Sequence, residues 1–64
     1  MKALNTNPNI PNADDFYAAL LNTHEGRSKA ESDAINARLI LLLANHIGEQ
    51  DVLTDALQKA ANPA

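Results

Sequence analysis

Residues 28–48 read SKAESDAINARLILLLANHIG, and this stretch decides the fold. It contains no proline, and its one glycine is the last residue, so nothing inside it interrupts a helix of about twenty residues, roughly 30 Å at 1.5 Å per residue. Ser28 followed by Glu31 is a capping box, in which each side chain satisfies a backbone N–H of the other residue. Gly48 stands where a left-handed closing residue is wanted. The stretch therefore predicts one long helix over residues 29–47.

Working outward, the preceding segment ADDFYAALLNTHE predicts a first helix over about 13–25. Phe16, Tyr17, Leu20, Leu21 and His24 follow the helical i, i+4 rhythm. Asn12 offers an N-cap, Asp14 and Asp15 favour the positive end of the helix dipole, and Gly26 lets the chain turn. On the far side, Asp51 is expected to cap a short third helix over about 52–61. That helix carries Val52, Leu53, Ala56, Leu57 and Ala60 and is closed by Asn62 and Pro63. Residues 1–12, MKALNTNPNIPN, hold two prolines and four asparagines without an apolar period, so they predict an extended arm that Leu4 and Ile10 can dock. Residues 62–64 form a tail. The expected fold is all-α: a helical hairpin with a long central helix plus a short third helix, in effect a small three-helix bundle.

The composition narrows function. A chain of 64 residues buries little apolar surface, and with no cysteine it has neither disulfides nor thiolate ligands as a staple. A net charge of -3 without a basic stripe argues against nucleic acid and anionic membranes as partners. The longest apolar run, Leu39 to Ala44, is far short of the roughly 20 residues of a membrane span. A cytoplasmic protein is expected.

Around the central helix, Ile35, Leu39, Leu42, Leu43, His46, Ile47 and Ile40 fall within about 160°. They are expected to form the core face toward the other two helices. Opposite them runs a second stripe, Ala30, Ala34, Ala37, Leu41 and Ala44, with Arg38 and Asn45 along its edge. Two readings of this stripe stand. Alanine is the best helix former and Leu41 can be a scattered exposed apolar residue. Alternatively, small residues admit a second helix, Leu41 anchors it, and Arg38 and Asn45 supply a polar rim. The second reading makes Ala34, Ala37, Arg38, Leu41, Ala44 and Asn45 the candidate partner interface, used for homo-oligomerisation or for docking on a larger protein.

Chemistry is poorly represented. His24-Glu25 lacks the second histidine that would complete a zinc face, and His46 has no ligand at metal spacing. Both histidines are expected as packed, hydrogen-bonded imidazoles. Ser28 and Ser32 read as cap and surface residues, and no glycine-rich loop is present. No catalytic residue and no cofactor is expected. A helix-turn-helix over the GEQD connection is disfavoured by a third helix with a single lysine.

The segments DDFYAAL, HEG and above all INARLILLLANHIG resemble a family of short bacterial proteins catalogued as domain-of-unknown-function family 2783. The resemblance runs from Asp14 to Leu57, and its most distinctive part is Asn36 to Leu39 with Asn45 to Gly48. It implies no activity. Such proteins tend to be encoded beside flavin-dependent aromatic hydroxylases in catabolic gene clusters, so the resemblance implies an accessory subunit of a flavoprotein monooxygenase as the alternative function.

Overall fold

The structure, a computed structural model, describes residues 3–62. Three helices follow the irregular arm: α1 (Ala13–His24), α2 (Lys29–Ile47) and α3 (Gln50–Ala61). No strand occurs among the described residues, and the fold is a small all-α bundle around the 19-residue α2. The first two residues of the expected arm, and Pro63 and Ala64 of the expected tail, lie outside the described residues. In the arm, the Asn7 N–H donates to Asn5 Oδ1 at 2.9 Å, the side-chain turn that asparagine-rich segments favour.

The boundaries of α2 follow from its capping chemistry. The Glu31 N–H donates to Ser28 Oγ at 3.2 Å and the Ser28 N–H donates to Glu31 Oε1 at 2.9 Å, so the capping box is complete. At the other end Gly48 adopts φ +68°, and its N–H closes the last turn on the Ala44 carbonyl at 2.9 Å. Gly26, at φ +74°, makes the turn after α1.

The ends of the flanking helices differ from expectation. α1 stops at His24 rather than Glu25, and Asn12 occupies the N-cap position without a side-chain cap bond. α3 begins at Gln50 rather than near 52, with Glu49, not Asp51, as N-cap. The reason is the Gly48 conformation, which reverses the chain at once. Glu49 is then extended, its carbonyl accepts the Leu53 N–H at 3.0 Å, and Asp51 falls inside the first turn, where its charge still suits the helix dipole.

The larger correction concerns the core. No described residue is fully buried. The expected core face splits between two grooves. Ile35, Leu39 and Leu42 face Phe16 and Leu20 of α1, whereas Ile40, Leu43 and Ile47 face Leu53 and Leu57 of α3. The flanking helices thus meet α2 on different sides, and no side chain is enclosed by all three. Ile35 and Leu39 become half-buried, but Ile40, Leu42, Leu43 and Ile47 remain exposed. His46, expected on the core face, is exposed as well. α1 has only 12 residues, about 18 Å, and its groove along α2 extends no further than Leu42. The molecule measures 41 × 27 × 26 Å, with a radius of gyration of 13.6 Å against about 11 Å for a compact chain of this length.

Candidate interaction surface

The residues singled out on the second stripe of α2 separate into two groups. Arg38, Leu41 and Asn45 come together with Leu42 around one shallow surface concavity of about 350 Å³. Spacings of three, four and seven residues place them on one side of the helix, with the two leucines between the two polar groups. Leu41 is 70 % exposed and Leu42 is 68 % exposed, so the centre of the patch is open apolar surface. Ala34 and Ala37 are exposed beside it and leave room for close approach of another backbone. Ala44 belongs elsewhere. It is half-buried and lines the groove between α2 and α3, so the stripe does not continue uncovered to its C-terminal end.

Leu42 entered the sequence argument as a core residue, yet it joins the patch to the α1–α2 groove, which Arg38 also lines. The i+1 neighbour of Leu41 lies about 100° away on the helix, and only the limited reach of α1 leaves it open. Nothing in the local sequence signals that shortfall, because it depends on how two helices of unequal length meet.

His24 is half-buried and fulfils the expectation of a hydrogen-bonded imidazole. Its Nδ1 lies 2.9 Å from Ser32 Oγ and its Nε2 lies 3.1 Å from Asn36 Oδ1. Since an amide oxygen only accepts, Nε2–H donates to Asn36, while Nδ1 and the Ser32 hydroxyl form the second bond. This cluster ties the end of α1 to the first half of α2. Among the described residues no three His, Cys, Asp or Glu side chains gather as a metal site, and no helix is long and apolar enough to cross a membrane. The titration of Glu31 is displaced by its capping contacts. The Ser28 backbone N–H, then the Ser28 hydroxyl and the nearby Arg27 charge, hold its carboxyl below the ordinary glutamate value.

Residues 4–62 match the profile of a family described as protein of unknown function (DUF2783), which spans nearly the whole chain. The chain belongs to this family. The DUF2783 match begins at Leu4, so it takes in most of the N-terminal arm as well as all three helices. It also contains the whole Arg38–Asn45 patch. No curated protein and no solved structure matches the chain.

Proposed function

We propose that this DUF2783 chain is a non-enzymatic, cytoplasmic helical interaction module. It self-associates or docks on a larger protein through the second face of α2, with Leu41 as the anchor, Arg38 and Asn45 as the polar rim, and Ala34 and Ala37 as the close-approach positions. The observation that carries this reading is the exposed leucine pair at the centre of the Arg38–Leu41–Leu42–Asn45 patch. An apolar centre with polar groups at its edge is how protein interfaces are built. The open grooves, none with a fully buried lining, support a docking role over catalysis, which needs a walled site that excludes water.

The test compares the wild-type chain with Leu41→Glu by sedimentation and far-ultraviolet circular dichroism, alone and mixed with a flavin-dependent aromatic hydroxylase. The charged variant is expected to keep its helicity and lose an association that the wild type makes. If the two chains sediment identically both alone and in the mixture, the second face is not a docking surface.

A further inference from the structure

We propose that the groove between α2 and α3 is filled by the α2–α3 hairpin of a second copy of this chain, giving a dimer with a shared four-helix core. The groove holds about 480 Å³ and is lined from α2 by Ile40, Leu43 and Ile47 and from α3 by Leu53 and Leu57. Ile40 to Ile47 and Leu53 to Ala60 each repeat at i, i+3, i+4 and i+7, the spacing with which bundle helices face one another. Two helices already in contact thus present a single apolar trough, one half of a bundle core.

The exposed area calls for an occupant of macromolecular size. The chain exposes 5657 Å², whereas a folded monomer of 6.9 kDa exposes roughly 4,000 Å². The excess is about 1,700 Å², part of which belongs to the exposed arm. Each subunit of an obligate dimer buries about 1,000 Å² or more, so the excess is large enough to supply such an interface. The trough is also self-complementary. Ile40 and Leu57, 63 % and 68 % exposed, project as knobs, while Ala44, Ala56 and Ala60 leave holes on the same surface. A two-fold axis sets the knobs of each copy against the holes of the other. A small apolar ligand fits less well, because Gln50 is the only polar side chain on the lining to orient one. This surface lies about 120° around α2 from Leu41 and does not depend on the role of that residue.

The experiment is sedimentation equilibrium with circular dichroism across a concentration series, on the wild type, Leu57→Ala and Leu41→Glu. The wild type is expected at twice the 6.9 kDa chain mass or above. L57A should weaken the dimer at least about tenfold and recover wild-type helicity at high concentration, since folding and association are linked. L41E should still form the dimer. A wild type that stays monomeric at high micromolar concentration overturns the inference. So does an L57A chain that dimerises like the wild type or loses helicity regardless of concentration, and so does an L41E chain that falls to monomer.

Discussion

His24 of α1 places its Nδ1 2.9 Å from the hydroxyl of Ser32, eight residues further along and one full turn into α2. With the Nε2 bond to Asn36 it gives the first helix a directional attachment in a molecule that lacks a closed core. A half-buried hydrogen bond contributes about 0.5–1.5 kcal/mol. His24→Ala should therefore loosen α1 by about 1–2 kcal/mol and speed amide hydrogen exchange across Ala13–His24. The amides of α3 should exchange as before, and equal acceleration in all three helices would contradict this local role.

The capping box gives a second, pH-dependent expectation. Ser28→Ala should cost about 1 kcal/mol, read as a lower urea midpoint at one fixed protein concentration. Glu31 titrates below its ordinary value when folded, so its stabilising contribution is complete above the unfolded glutamate pKa of about 4.3. That contribution disappears as pH falls through the folded value. Glu31→Gln should accordingly differ from wild type above that window and converge with it at lower pH.

Gly48 closes α2 at φ +68°, and an added Cβ would meet only the Asn45 carbonyl oxygen, at an ordinary 3.7 Å. The obstacle is conformational rather than steric crowding from elsewhere. Gly48→Ala should destabilise by about 1–2 kcal/mol, and Gly48→Asn by less, because asparagine tolerates the left-handed region better. Thermal melts of the two variants at matched concentration decide the order.

The ion pairs found among the described residues, Lys29–Asp33 at 2.9 Å and Lys59–Asp55 at 3.0 Å, should matter little. Both are i, i+4 pairs on open helix surface, and Lys29 keeps 88 % of its side-chain area in solvent. Lys29→Met should change stability by no more than about 0.5 kcal/mol, and adding salt should leave the wild-type melt nearly unchanged.

Several features were legible before any coordinates. Ser28, Glu31, Gly26 and Gly48 mark ends that are set by backbone hydrogen bonding within four residues, so local chemistry determined where α2 starts and stops. The span of α2 and the three-helix, all-α class followed from the same signals. Asp51 misled because aspartate suits both an N-cap and a first turn, and only the reversal at Gly48 assigned it to the latter. Arg38, Leu41 and Asn45 could be placed on one side of a helix from their spacing. That Leu42 completes their patch could not.

The sequence alone determined the helices and their apolar stripes, because both depend on residues within one or two turns of each other. Tertiary structure decided what those stripes cover. α1 reaches no further than Leu42, and α3 returns along Ile40, Leu43 and Ile47 on a different side, so an arc that reads as one core face is divided between two open grooves. Helix length and crossing position are properties of pairs of elements, and no periodicity within a single element carries them.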